Sequence, residues 1–95
     1  MSFEVTGAIL VGAEERTGTA TFAAIDPASG DSIAPAFAEA GAADVADACA
    51  LAADAFPAFR DLAPEDRAAL LESIAEEIAG IGDALIVRAM AESGL

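Results

Sequence analysis

The sequence contains no histidine, lysine, tryptophan or tyrosine, and it has one cysteine among its 95 residues. Without histidine, the chain lacks the general base of a serine or cysteine triad, and one cysteine provides too few ligands for a zinc site. Cys49 falls in the middle of a predicted helix on its apolar face, so we interpret it as a buried structural thiol. A lone cysteine forms no internal disulfide, which is typical of a reducing compartment and predicts the cytoplasm.

Positive charge is scarce as well, because four arginines stand against seventeen acidic residues and give a formal net charge of −13. Nucleic acids and anionic membrane surfaces are bound through clustered Lys and Arg, so we expect neither as a partner. No apolar run approaches the ~20 residues of a transmembrane helix, and the N-terminus lacks the basic start of a signal peptide. We interpret the acidity as a strongly solvated, salt-adapted surface; the alternative is an acidic patch that recruits a basic partner.

Motifs for chemistry are also missing. Gly80 and Gly82 fall at a predicted helix break and do not form a phosphate-binding loop. The acidic residues follow helix faces and show no pairing that spacing alone would identify as catalytic. Asp26 and Glu92 lie at element ends, where a hard cation could find oxygen ligands, although an Asx turn and a solvated helix end explain them better. The residues by themselves describe a scaffold.

The pattern predicts a mixed α/β fold class (an α+β arrangement), with a loose tail over residues 1–7, strands over residues 8–40 and helices over residues 41–95. Residues 8–12 and 19–25 are expected to pair as a β-hairpin, joined by the polar residues 14–18.

Residues 26–31 (DPASGD) combine an Asp, a Pro and a Gly in the order that favours a tight turn. Residues 32–38 then read as a short edge strand. Pro35 has no backbone N–H to donate to a ladder, so it is predicted to lie at an edge or a bulge.

Three amphipathic helices are predicted after this strand. The first begins at Ala42 with Gly41 as its N-cap, the second begins at Pro64, and the third covers residues 83–92 and ends at Gly94. Their apolar stripes comprise Val45, Cys49, Ala52, Phe56 and Phe59 in the first helix, Leu70, Leu71, Ile74 and Ile78 in the second, and Leu85, Ile86, Ala89 and Met90 in the third. The third stripe is expected to face inward, whereas the first two are expected to need a partner surface larger than this chain supplies.

The predicted core is thin. Hydrophobic residues make up 56% of the chain, but many are alanines, and there are only five phenylalanines. A lone domain of this size buries roughly 60–65% of its unfolded surface. We therefore expect part of a larger domain; the alternative is a stand-alone acidic helical module that binds another protein.

Several motifs recur in the order found in the N-terminal region of aldehyde dehydrogenases. That family has a strand ending in Asn-Pro-x-Thr/Ser-Gly-Glu, a helix closing in Ala-Phe-x-x-Trp, a Pro-x-x-Arg-x-x-x-Leu helix and a helix ending in Glu-Thr-Gly. The chain resembles it through residues 25–31 (IDPASGD), 44–52 (DVADACALA), 55–60 (AFPAFR), 64–71 (PEDRAALL) and 91–94 (AESG). Within the family, residues 36–40, 59–60 and 82–95 look like the 2-oxoglutarate semialdehyde (2,5-dioxovalerate) dehydrogenases.

The resemblance implies the N-terminal part of a Rossmann-like coenzyme domain in an NAD(P)-dependent oxidoreductase. Such enzymes oxidise an aldehyde through a cysteine thiohemiacetal, hydride transfer to nicotinamide and thioester hydrolysis. The family's catalytic and coenzyme-binding residues match no position of this chain, so its expected partners are the remainder of its own enzyme and further copies of that enzyme. Asp26, Phe59 and Ala63 depart from the family's usual Asn, Trp or Tyr, and Ser or Thr.

Some members of the family also bind a monovalent cation near this segment. By position, the resemblance implies the backbone carbonyl of Ile25 and the carboxylate of Glu92 as ligands, with a further ligand outside the matched region. No catalytic or coenzyme-binding residue is expected within the chain.

Overall fold

A computed structural model describes residues 4–95 and confirms the mixed α/β class, with strands preceding helices. The strands are β1 (Ile9–Val11), β2 (Glu14–Arg16), β3 (Thr21–Ile25) and β4 (Ser32–Ala38), and the helices are α1 (Ala42–Arg60), α2 (Pro64–Gly80) and α3 (Gly82–Ser93).

The strands form two separate antiparallel hairpins, β1–β2 and β3–β4. The expected hairpin between residues 8–12 and 19–25 is therefore wrong, because Glu14–Arg16 forms a strand instead of a connecting loop. Val11 pairs with Glu14, so the loop has only two residues. Gly12 in that loop has a φ of 61°, and positive φ is what two-residue hairpin turns require.

The β3–β4 hairpin confirms the predicted turn over residues 26–31. The backbone N–H of Asp26 donates to the carbonyl of Asp31 at 2.9 Å, and Oδ1 of Asp26 accepts from the N–H of Ala28 at 2.8 Å. Gly30 takes a φ of 79°. The turn therefore uses its Asp and Gly in the ways that local turn chemistry demands.

Pro35 lies at a break in the β3–β4 register. Phe22 pairs with Phe37 and Ala24 with Ile33, so three residues of β4, centred on Pro35, stand opposite one residue of β3. This confirms the predicted bulge, and β4 has the bounds expected for this strand, residues 32–38.

The N-terminal segment approaches the other side of β4. The carbonyl of Gly7 accepts a hydrogen bond from the N–H of Ala38 at 2.9 Å. Gly7 has a φ of 76°, and a Cβ at this position would collide with the backbone carbonyl of Ala36. The contact thus requires glycine here. Residues 1–3 of the predicted tail lie outside the described residues.

The helix boundaries agree with the sequence signals. Gly41 is the N-cap of α1, and the helix passes through Pro57 to end at Arg60. Pro64 occupies the first position of α2, where its missing N–H costs nothing. Gly94 ends α3 in the left-handed conformation, with a φ of 78°.

The described residues form almost no core. Among residues 4–95, Val11 is the sole buried hydrophobic side chain, at 4% exposure. The accessible surface is 7104 Å², against about 5,000 Å² for a compact monomer of 9.4 kDa. The radius of gyration is 16.7 Å, against about 12 Å for a compact domain of this length.

The apolar stripes of all three helices are exposed within the described residues, including that of α3, which was expected to face inward. Leu85, Ile86 and Met90 of α3 are exposed, while Arg88 and Ala91 are half-buried. The inward assignment is therefore wrong within these residues. The physical reason is that two short hairpins offer little apolar surface, whereas the carbonyl of Ala34 in β4 offers Arg88 a hydrogen-bond acceptor at 2.7 Å.

Gly94→Ala is expected to destabilise the end of α3, because the left-handed conformation costs other residues about 1–2 kcal/mol. Gly80→Ala is the matched control, since its φ is not positive and a Cβ there meets no atom within 4 Å. Far-UV circular dichroism at 222 nm should show less helix for Gly94→Ala and unchanged or greater helix for Gly80→Ala. Equal helicity in the two variants would contradict the cap assignment.

Candidate functional site

Two arginines connect helices α1 and α3 to the hairpins. Arg16, at the end of β2, holds the start of α1: its Nη1 lies 3.1 Å from Oδ1 of Asp44 and 2.8 Å from Oδ2 of Asp47. Its Nε also donates to Oε1 of Glu14 at 3.1 Å. The Arg16 side chain is 20% exposed, so this cluster is the polar joint between the β1–β2 hairpin and α1.

Asp44 has a second role in this cluster, because its Oδ2 accepts the backbone N–H of Gly41 at 2.9 Å. That hydrogen bond, followed by the one from Arg16, lowers the pKa of the Asp44 carboxyl. The neighbouring carboxylates, led by Asp47 and then Asp44 and Glu14, raise the pKa of Arg16. Both shifts favour the charged forms that the cluster contains.

A pH titration tests this arrangement. A carboxyl whose pKa is lower in the folded state stabilises the fold above its unfolded pKa, near 3.9, and loses that contribution as pH falls through the folded pKa. Asp44→Asn should therefore reduce the helical signal at pH 7 and make that signal fall less steeply as the pH drops below about 3.9. Asp54→Asn, elsewhere on α1, is the control. Parallel acid titrations of all three proteins by circular dichroism would contradict the role of Asp44.

Arg88 forms the second joint, between α3 and the β3–β4 hairpin. Its Nε lies 2.8 Å from Oε2 of Glu92, and its Nη1 donates to the carbonyl of Ala34 at 2.7 Å. Its guanidinium carbon lies 5.7 Å from the centroid of the Phe37 ring, which in turn stacks on Phe22 at 5.8 Å. The side chain is 18% exposed. Among the described residues, its Nη2 is buried without an acceptor.

Sequence reasoning missed both arginines. Neither the alternation of a strand nor the period of a helix indicates a partner 28 or 54 residues away. The one signal in the sequence was the small number of arginines. With only four arginines and seventeen acidic residues, each arginine has many potential carboxylate partners.

The two predicted cation ligands, Ile25 and Glu92, lie at the end of β3 and in the last turn of α3. Ile25 immediately precedes the β3–β4 turn. A Cβ on Gly94 would lie 3.5 Å from the Pro27 side chain, so the end of α3 lies against that turn.

The donor set fits a cation at Glu92 poorly, because the guanidinium of Arg88 already lies against this carboxylate. A second positive charge would be repelled by the first. In the part of the chain that the structure describes, no three acidic or cysteine side chains cluster as a metal site. The cation site at Ile25 and Glu92 stays a prediction.

Cys49 does not lie in a buried setting. The structure places its thiol on the exposed surface of α1, so the expected burial is wrong within these residues. The reason is the same as for α3: the apolar stripe of α1 meets no covering element here.

A shallow cavity of about 450 Å³ lies between the N-terminal segment and α3. It is lined by Val5, Asp83, Ala84, Val87, Arg88 and Ala91. Among the described residues, short apolar side chains dominate its lining, which includes no cysteine or hydroxyl group. Over residues 4–95, no helix has the length and apolar character needed to cross a membrane.

Comparison with known proteins identifies the family of this chain. The profile of the aldehyde dehydrogenase family matches residues 14–95, which include β2–β4 and all three helices. The chain belongs to the aldehyde dehydrogenase family. It is 53% identical over 94 residues to alpha-ketoglutaric semialdehyde dehydrogenase 2 of Azospirillum brasilense. That match covers 97% of this chain but only 18% of the relative. No solved structure matches.

The family match confirms the resemblance that the turn, helix and Glu-Ser-Gly motifs indicated. The chain spans less than a fifth of that relative's length. In residues 4–95 of this aldehyde dehydrogenase family member, Arg16 and Arg88 connect α1 and α3 to the hairpins, and the apolar stripes are exposed.

Proposed function

We propose that this chain is the N-terminal part of an NAD(P)-dependent aldehyde dehydrogenase that oxidises 2-oxoglutarate semialdehyde to 2-oxoglutarate. The observation that carries the proposal is the 53% identity to a relative named for alpha-ketoglutaric semialdehyde. The resemblance of residues 36–40, 59–60 and 82–95 to such enzymes supports the same substrate. The parent enzyme acts in the cytoplasm as a homo-oligomer.

Within that enzyme, the segment borders the Rossmann-like coenzyme domain and packs its helices on the rest of the chain. Three exposed apolar stripes support this role, because patches of this extent on a protein surface mark interaction sites. The 7104 Å² of accessible surface, about 40% above that of a compact monomer, supports it as well.

The residue types indicate that the chemistry belongs to other parts of the enzyme and that this segment positions its helices. When bound, the nicotinamide supplies a hydride acceptor, and a cysteine elsewhere in the enzyme supplies the nucleophile. The residues of this segment orient α1 and α3 through Arg16 and Arg88 and present the stripes to their partner surfaces. Cys49 has no cationic neighbour among the described hydrogen bonds and ion pairs that would activate a thiol, so it takes no part in the reaction.

Activity measurements test the proposal directly. The full-length enzyme should form NADH or NADPH with 2-oxoglutarate semialdehyde, whereas the 95-residue chain should show no rate above a blank. Cys49→Ala in the full-length enzyme should retain wild-type kcat. Aldehyde-dependent reduction of the coenzyme by the 95-residue chain would contradict the assignment of chemistry to the rest of the enzyme.

The monovalent-cation site that the resemblance implies at Ile25 and Glu92 stays a prediction, because the guanidinium of Arg88 already lies against the Glu92 carboxylate. The support for this site is the family resemblance and the contact between the end of α3 and the β3–β4 turn. Two oxygens that share one ion lie within ~5 Å of each other at typical cation–oxygen distances. A separation beyond roughly 8 Å between the Ile25 carbonyl and the Glu92 carboxylate in a crystal structure of the enzyme rules out a shared ion.

A further inference from the structure

Arg88 already joins the two elements that a cation at Glu92 would join. Its guanidinium contacts the Glu92 carboxylate in α3 at 2.8 Å and a backbone carbonyl of the β3–β4 hairpin, that of Ala34, at 2.7 Å. A bound monovalent cation accepts the same kinds of ligand, carboxylate and carbonyl oxygens. The positive charge between α3 and the hairpin therefore comes from a side chain of this chain.

The guanidinium is also fixed in place. It lies over the Phe37 ring, its side chain is 18% exposed, and among the described residues Nη2 is buried without an acceptor. Arg60 makes comparable interactions, with Asp61 at 3.0 Å and the Phe56 ring at 5.6 Å, but its side chain is 57% exposed and, within residues 4–95, bridges to no other element. The burial and the bridging contact distinguish Arg88 from an ordinary surface arginine.

We propose that Arg88 takes the place of a monovalent cation at Glu92, so that the junction between α3 and the β3–β4 hairpin is stable without a bound ion. The inference rests on the proposed function in one respect, the position of Glu92 at the family's cation site. Arg88 acts as a positioning residue: it neutralises Glu92 and holds α3 on the hairpin, and it touches no reacting atom.

The test measures the thermal midpoint of the full-length enzyme in KCl, NaCl and choline chloride at equal ionic strength. Wild type should show no K⁺- or Na⁺-specific stabilisation that depends on Glu92. Arg88→Met should melt at least ~2 °C lower in choline and should recover part of that loss in KCl or NaCl, because the freed carboxylate can now bind the ion. Glu92→Gln added to Arg88→Met should abolish the recovery, and Arg60→Met is the matched control.

Two results would overturn the inference. One is a K⁺- or Na⁺-specific stabilisation of wild type that the single substitution Glu92→Gln removes. This comparison needs no Arg88 variant, so it still decides the question if Arg88→Met does not fold. The other is an Arg88→Met enzyme that melts with the same ion dependence as wild type. These midpoints do not depend on turnover, so an enzyme that shows the expected pattern without oxidising aldehydes would contradict the proposed function alone.

Discussion

Ile74→Asp in the full-length enzyme is expected to abolish soluble expression or to lower the melting temperature sharply. Ile74 is 47% exposed within the described residues, in the α2 stripe with Leu70, Leu71 and Ile78. If the rest of the enzyme covers this stripe, the new carboxylate is buried without a partner, at a cost of several kcal/mol.

Ser73→Asp is the matched control for this prediction, because it adds the same charge one residue away, on the acidic side of α2. The soluble fraction after expression and the melting temperature of the purified enzyme distinguish the two variants. An Ile74→Asp enzyme that melts like wild type would show that the stripe faces solvent. That result would favour the stand-alone interaction module over the proposed scaffold.

The 95-residue chain by itself is expected to keep its helical far-UV spectrum but to unfold over a broad temperature range or to associate. The physical reason is that Val11 is the sole buried hydrophobic side chain among residues 4–95, so few tertiary contacts exist to make unfolding cooperative. Circular dichroism, binding of a hydrophobic dye and sedimentation velocity measure the three properties. A sharp melt of a monomer with no dye binding would instead support an autonomous module.

Local chemistry explains why parts of the fold could be predicted from the sequence. The turn at residues 26–31 needs an Asp oxygen and a Gly with positive φ, and both are present within six positions. The boundaries of the helices likewise depend on Gly41, Pro64 and Gly94, each of which acts on its own helix end. Such signals require no knowledge of the rest of the structure.

Strand pairing was harder to predict, because it depends on residues far apart. Glu14–Arg16 is charged throughout and looks like a loop, yet it forms β2 because Gly12 permits a two-residue turn and Arg16 finds Asp44 and Asp47 on α1. The periodicity of a helix groups residues on one face but does not say which face meets a partner. For α1 and α3, the side that meets its hairpin carries charge, and the candidate cation ligand Glu92 is already paired as a result.

The polar joints also bear on how the chain assembles during synthesis. Arg16 reaches Asp44 and Asp47 over separations of 28 and 31 residues, so the β1–β2 hairpin and α1 can dock as soon as both have left the ribosome. This docking does not use the apolar stripe of α1, which stays exposed within residues 4–95. Copies with open stripes would tend to aggregate, but a net charge of −13 makes such copies repel one another until the stripes are covered.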